Sequence, residues 1–288
     1  MKQNILFQID HDDHCSAFDS VVAIDSGVDH LLTFPQSTPI QMQSIIHGGI
    51  FTRGPSDLKH TAIFFGGSNV EKTTELFQQA QKHFFGPMQI SMMSDPNGSN
   101  TTAAAAVICA RKTAPLKNKK VVVLAATGPV GQRICQLTSS EGANVIACSR
   151  SLNRAEAICE SIGKSVEGEL TPFQAATPED NAKATEGADF VFAAGAAGIE
   201  LLDERWLETN QSIQVAVDIN AVPPSGIAGV EVMDNQAIRH GKTCFGAIGV
   251  GQSKMKIHKA CIKKLFESNQ LRLDTEEIFN VGLEVLEK

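Results

Sequence analysis

The stretch from Val121 to Arg150 constrains this chain more than any other. Val121 to Ala125 is an unbroken apolar run, Ala126-Thr127-Gly128-Pro129-Val130-Gly131 turns, Gly131 to Glu141 has helical periodicity, and Asn144 to Cys148 is apolar again. Short apolar runs bracketing a glycine turn and a helix read as strand, turn, helix and strand. Such a unit needs a parallel sheet with helices on its faces. The turn matches the dinucleotide fingerprint with Ala126 at the first glycine position. In that reading Gly128 lets the backbone approach a pyrophosphate and Gly131 lets helix and strand pack closely. The helix start after Thr127, with Pro129 and Val130 in its first turn, presents its free N–H groups, proline contributing none, and a positive dipole end to the anion. Two glycines alone would equally fit an ordinary strand-to-helix turn; the second strand in place behind them favours the nucleotide.

The end of that second strand distinguishes the nucleotides. NAD-binding units usually carry a carboxylate about 20 residues after the turn, whereas an arginine accommodates a 2′-phosphate. Here the residues are Ser149-Arg150-Ser151, with Arg154 a little beyond. A guanidinium holds phosphate through paired charge-assisted bonds, so the expected cofactor is NADP. A solvated loop arginine is the alternative. Gly195 and Ala196, after the strand Phe190 to Ala194, leave room for ribose and nicotinamide, or else pack tightly at a sheet edge. Asp218 and Asn220 follow the strand Ile213 to Val217, at strand ends where nucleotide sheets place their ligands.

Ahead of this unit, Ile5 to Asp10 and Thr61 to Gly67 read as strands ending in acids or glycines, and Val70 to Phe84 as a helix. The polar loop Ser94 to Asn100 delivers an Ala-rich helix from about Thr101 to Lys112, which Pro115 and Lys117-Asn118-Lys119-Lys120 end. We therefore expect two α/β domains with a cleft between them. Residues 1–113 form a substrate domain and 114–252 a Rossmann-type parallel sheet. Ser253 to Ser268 and Thr275 to Leu286 read as helices that pack back on the first domain or form an oligomer contact.

With 288 residues, two such cores are affordable. A net charge of -7 and a pI near 5.6 leave no basic field for nucleic acid or an anionic membrane surface. No apolar run approaches the roughly 20 residues of a membrane span, and Met1-Lys2-Gln3-Asn4-Ile5 does not begin a secretory signal. Seven scattered cysteines, with no Cys-x-x-Cys pair, fit reduced thiols. A cytoplasmic protein is expected.

Hydride transfer from an alcohol needs a group to carry the hydroxyl proton, usually His with a carboxylate or Tyr with Lys. The chain has no Tyr. Its His11-Asp12-Asp13-His14-Cys15 run reads as an acidic loop rather than a metal site, and no metal is expected. A carbon flanked by two nitrogens needs no proton relay, because their lone pairs stabilise the cation left behind. Orientation and desolvation then supply most of the catalysis. Two segments suit such a substrate: Asn97-Gly98-Ser99-Asn100-Thr101-Thr102 at a helix start, and the glycine loop Gly246 to Gly251 leading to Lys254 and Lys256. A helix cap and a solvated basic helix face are their alternatives.

Asn97 to Ala105, Thr127 to Gly131 and Cys244 to Ser268 closely resemble the NADP-dependent methylene-tetrahydromethanopterin dehydrogenases. The likeness extends to Phe18-Asp19, Asp25 to His30, Phe51 to Gly54, Phe84 to Pro87, Glu200 to Leu202 and Asp218 to Gly226. It implies oxidation of a methylene-pterin to the methenyl form, with hydride passing to NADP between a pterin domain and a Rossmann-type domain. It further implies a role in formaldehyde oxidation and a homo-oligomer, a trimer or a multiple of it. By motif, Thr102 and Lys254 stand by the reacting pterin, with Asn97, Ser99, Asn100, Thr101 and Lys256 as further substrate contacts. Thr127 to Gly131, Ser149, Arg150 and Arg154 hold NADP. Lysine there hydrogen-bonds a pterin carbonyl or the tail, and its charge disfavours the cationic product. Two departures are visible: Ala126 for Gly, which leaves room for some NAD use, and Gln252-Ser253 for Gly-Leu, which bears on pterin choice. A methylene-tetrahydrofolate dehydrogenase and a non-catalytic NADPH-binding regulator are the competing readings.

Overall fold

The computed structural model describes residues 2–166 and 168–287. In chain order the elements begin β1 (Ile5–Ile9), α1 (Ala17–Asp25), β2 (His30–Phe34), α2 (Met42–Ile50), β3 (Thr61–Phe65), α3 (Val70–Gln81), β4 (Ser91–Ser94) and α4 (Ser99–Arg111). They continue with β5 (Lys120–Leu124), α5 (Pro129–Ser140), β6 (Asn144–Ser149), α6 (Leu152–Gly163), β7 (Leu170–Gln174), α7 (Pro178–Ala184), β8 (Phe190–Ala193), α8 (Glu204–Thr209) and β9 (Val215–Asp218). The last are β10 (Asn235–Arg239), β11 (Lys242–Phe245), α9 (Ala247–Lys264), β12 (Arg272–Leu273) and α10 (Thr275–Leu286). Among the described residues no helix is long and apolar enough to cross a membrane.

Two compact units result: residues 1–101 with 255–288, and residues 102–254. The chain passes from one to the other inside α4 and returns inside α9, so the divisions fall within helices and not in the linker near residue 113. From Met255 onward α9, and all of α10, belong to the first unit.

The first unit carries a five-stranded parallel sheet in the order β12-β4-β3-β1-β2. Every residue of β3 is buried, as expected for a strand covered on both faces. Phe7, Ile9, Ile63, Phe65 and Met92 pack with Met42, Ile46, Leu76 and Phe77, and each such side chain contributes about 1.5–3 kcal/mol on burial.

The second unit holds seven strands in the order β10-β11-β9-β8-β5-β6-β7, parallel except for the β10–β11 hairpin. From β5 the chain winds outward through β6 to β7, then returns beside β5 with β8. The strand order therefore reverses between β5 and β8, and a sheet of this type binds ligands outside the strand ends there. Val122, Leu124, Val191, Ala193 and Ala216 form its core with Trp206.

Three strands of this sheet escape the sequence reading. β7 contains Pro172 and is half-exposed; it lies at the sheet edge, where a residue without an N–H is tolerated. The β10–β11 hairpin is largely polar, and it closes through His240 and Gly241, both at positive φ, as a two-residue hairpin turn requires. The expected loop from Gly246 to Gly251 is instead, from Ala247 on, the start of α9.

Candidate functional site

At the β5 turn the two glycines have different reasons to be glycine. A Cβ on Gly131 would lie 2.8 Å from the Ala126 Cα and 2.9 Å from its carbonyl oxygen, so the helix touches the turn after β5 backbone to backbone. A Cβ on Gly128 would meet only the Ala125 and Ala194 carbonyl oxygens, each at 3.8 Å. That is ordinary contact, and the chain itself does not demand glycine at 128. Ala125 takes a left-handed φ of 53°, and the Ala126 N–H donates to the Cys148 carbonyl at 2.8 Å, tying the turn to β6. Gly128 is the α5 N-cap and offers no side chain to the first-turn amides. Pro129, at the first helical position, has no N–H to satisfy. The amides of Val130 and Gly131 are thus available to an anion. The Gln132 side chain holds the Thr127 carbonyl at 2.9 Å.

At the end of β6, Ser149 is buried and its hydroxyl accepts the Ser151 N–H at 3.3 Å. Arg150 and Arg154 are exposed. Among the described residues the Arg150 guanidinium has no ion-pair partner, and only its carbonyl is engaged, by Gln174. Ser151 is the α6 N-cap without a side-chain cap bond, and the first turn of α6 holds no acid. An arginine, a hydroxyl that makes no cap bond and a helix start without an acid in its first turn therefore lie together.

The other strand-end residues divide. Gly195 packs against Leu201, whose Cδ1 would be 3.0 Å from an added Cβ, while Ala196 is exposed. Asp218 is buried and spends its oxygens on the chain, accepting N–H bonds from Asn220 at 3.0 Å and Ile227 at 3.0 Å. Burial pushes its carboxyl above the usual range, against the downward pull of the Ile227, Asn220 and Gly226 amides. Asn220 donates to the Pro224 carbonyl and accepts from Val222, both at 3.0 Å. Both side chains shape the loop after β9, which lines one edge of the strand ends.

The loop before α4 is organised by a residue that the sequence reading passed over. Asp95 is fully buried. Its Oδ1 accepts the amides of Asn100 at 2.8 Å and Thr101 at 3.1 Å, and its Oδ2 accepts the Thr101 hydroxyl at 2.6 Å. Asn100 donates through Nδ2 to the Ser94 carbonyl and to Asp274, and accepts the Thr275 hydroxyl. Asn100 and Thr101, expected as substrate contacts, thus bond within the fold through these side chains. Ser99 is also fully buried, although its hydroxyl has no partner among the described residues. Asn97 is exposed, in a left-handed conformation with φ 52°, and Thr102 is half-buried.

Lys254 is half-buried in α9 and Lys256 is exposed. The neighbouring Ser253 hydroxyl accepts from the Cys109 thiol at 3.5 Å, which places α9 against α4. Two glycines seat the helix: a Cβ on Gly246 would lie 2.0 Å from the Glu231 carbonyl oxygen, and one on Gly249 would lie 1.9 Å from that of Asp234. The basic surface further along is partly neutralised, Lys259 by Asp25 at 2.9 Å and Lys264 by Glu284 at 2.7 Å.

Of the His11 run, Asp10, His11 and Asp12 bring ligand-type atoms within 4.8 Å of one another. They are tied internally: His11 Nδ1 lies 2.8 Å from Asp12, and Asp12 accepts the Ser68 amide and hydroxyl.

Residues 17–97 match the family described as methylene-tetrahydromethanopterin dehydrogenase, N-terminal, and residues 120–221 match NADP oxidoreductase, coenzyme F420-dependent. The chain is 43% identical over 287 residues to the bifunctional protein MdtA of Methylorubrum extorquens, covering 99% of this chain and 100% of that one. It is 30% identical over 295 residues to the NAD(P)-dependent methylenetetrahydromethanopterin dehydrogenase of the same organism, covering 99% of each. Among solved structures, quinate dehydrogenase from Corynebacterium glutamicum in complex with NAD aligns at a TM-score of 0.55 with 14% identity, over 98% of this chain and 99% of that one. A shikimate 5-dehydrogenase from Mycobacterium fortuitum aligns at 0.53 with 8% identity, over 98% of each. These two likenesses concern the fold alone.

Proposed function

The chain belongs to the methylene-tetrahydromethanopterin dehydrogenase family and is an oxidoreductase using a nicotinamide nucleotide, and we propose that it passes a hydride from methylene-tetrahydromethanopterin to NADP. The observation that carries the choice of NADP is the end of β6. Arg150 is exposed there beside the Ser151 hydroxyl and an α6 first turn without an acid. A guanidinium and two serines suit a 2′-phosphate, and the carboxylate that would bind the bare 2′-hydroxyl is missing from the turn.

In this reading the nucleotide, when bound, supplies the carbon that accepts the hydride. Gly128 leaves room at the turn for its pyrophosphate, and the Val130 and Gly131 amides with the α5 dipole stabilise the negative charge. Arg150, Ser149 and Ser151 hold the 2′-phosphate, with Arg154 adding positive charge. Asp218 and Asn220 shape the loop after β9, and Gly195 and Ala196 keep the approach to the nicotinamide narrow in side chains.

On the carrier side, Thr102 and Lys254 orient the pterin, and Asn97 and Lys256 are its further polar contacts. No proton has to move when the hydride leaves, because the two flanking nitrogens stabilise the methenyl cation. What remains for the protein is alignment and exclusion of water. The positive charge of Lys254 disfavours the cationic product and so aids the reverse direction. A cytoplasmic location and a homo-oligomeric state belong to the same proposal, resting on the scattered cysteines and the family resemblance.

Initial rates with methylene-tetrahydromethanopterin and methylene-tetrahydrofolate, each with NADP and with NAD, test the reading. The expected order places methylene-tetrahydromethanopterin with NADP first. A clear preference for the folate carrier would reassign the substrate, and tight NADPH binding without turnover of either would make the chain a regulator.

A further inference from the structure

We propose that Asp95 is a positioning residue for the hydride transfer, holding the loop Pro96 to Gly98 and the first turn of α4 in the form that meets the one-carbon carrier. The inference rests on the assignment of this loop to the carrier.

Asp95 joins three parts of the fold at once. Its N–H donates to the Phe65 carbonyl at the end of β3 at 3.1 Å, and its carbonyl accepts the Gly98 N–H at 3.0 Å. Its carboxylate binds two amides and a hydroxyl of α4. A buried carboxylate satisfied by three donors at the positive end of a helix is held firmly in place. Between these anchors, Asn97 and Gly98 sit consecutively at positive φ, 52° and 62°. Asn tolerates the left-handed region better than most residues, yet the conformation still costs energy and persists only where its surroundings impose it. Here Asp95 brackets it, its carbonyl accepting the Gly98 N–H and its carboxylate holding Asn100 and Thr101 just beyond. Without that carboxylate the first turn of α4 frays, and Asn97, exposed at the loop tip, loses its fixed direction.

The test compares Asp95→Ala, Asp95→Asn and Thr101→Val in the full chain, with kcat and KM measured for the carrier and for NADP alongside the melting temperature. Asp95→Ala removes three charge-assisted bonds, so kcat/KM for the carrier should fall by about 100-fold or more while KM for NADP changes less than about twofold. Asparagine keeps the shape, accepts the same amides and can donate to the Thr101 hydroxyl. It should restore kcat/KM to within about fivefold of wild type, the remainder being the lost charge at the helix start. Thr101→Val deletes the hydroxyl's contacts with the Asp95 carboxylate and the Gly98 carbonyl and should cost about three- to tenfold. This variant and Asp95→Asn decide the matter if Asp95→Ala does not fold.

A merely structural role predicts lower melting temperatures with unchanged constants per folded molecule, and that result overturns the inference. Rates are read on whichever of the methanopterin and folate carriers the wild type uses. A wild type inactive on both overturns this inference and the proposed function together, whereas an active wild type with an equally active Asp95→Ala overturns this inference alone.

Discussion

Gly131 and Ala126 meet backbone to backbone: a Cβ on the glycine would stand 2.8 Å from the alanine Cα. Gly131→Ala must therefore push α5 away from the turn after β5, and overpacking of this kind costs about 1–3 kcal/mol. Gly128→Ala meets nothing closer than 3.8 Å and should leave stability within about 0.5 kcal/mol of wild type. Its cost should appear in NADP affinity, because the methyl group enters the space left to the pyrophosphate. Urea melts and NADP titrations of the two variants check the split. Equal loss of stability in both would mean that Gly128 serves only the fold.

Arg150→Ala tests the nucleotide preference. Loss of a charge-assisted bond to phosphate is worth about 1.5–3 kcal/mol, so KM for NADP should rise about 10- to 150-fold. KM for NAD, which lacks the 2′-phosphate, should stay within about twofold on the same principle. An unchanged KM for NADP would move the phosphate contact elsewhere, with Arg154 the next candidate.

Legibility in the sequence followed how local each signal was. The β5–α5–β6 unit was readable because its strands are largely buried and apolar over Val121 to Leu124 and Val145 to Cys148, and because Gly128 and Gly131 have a spacing fixed by the turn. β7 was not, since an edge strand can be half-polar and can carry Pro172. Asp218 and Asn220 have the residue types and the strand-end position of ligand-binding groups, and only the closed loop from Ile219 to Ile227 reveals that their polar atoms are spent on the chain. Asp95 was missed for the complementary reason. Its partners lie five and six residues ahead, and they reach it only because Asn97 and Gly98 turn left-handed.

Lys254 and Gly249 should separate chemistry from placement. Lys254→Ala removes a half-buried ammonium and should lower kcat for the carrier more than it weakens NADP binding, at a stability cost of no more than about 1 kcal/mol. Gly249→Ala inserts a methyl group where the Asp234 carbonyl oxygen stands, 1.9 Å away. The start of α9 must shift, so stability should fall by about 1–3 kcal/mol or more, with loss of carrier turnover accompanying it. If Lys254→Ala instead weakens NADP binding while carrier kinetics hold, the lysine belongs to the nucleotide.

The titration of Asp218 gives a stability effect of definite sign. Its ordinary value is 3.8, and burial raises it in the folded chain. Between 3.8 and the raised value the folded state holds a proton that the unfolded state has released. The stability contributed by Asp218 is thus fully present below the unfolded value and declines as pH rises through the folded one. In Asp218→Asn the site no longer titrates, and its amide nitrogen can turn towards the Ile227 or Asn220 N–H, leaving a buried donor unmatched at about 1–3 kcal/mol. Chemical denaturation of both proteins across that interval should show wild type the more stable throughout, by a margin that narrows as pH rises. A margin that widens instead would mean that the amides of Ile227, Asn220 and Gly226 outweigh burial and hold the folded carboxyl below 3.8.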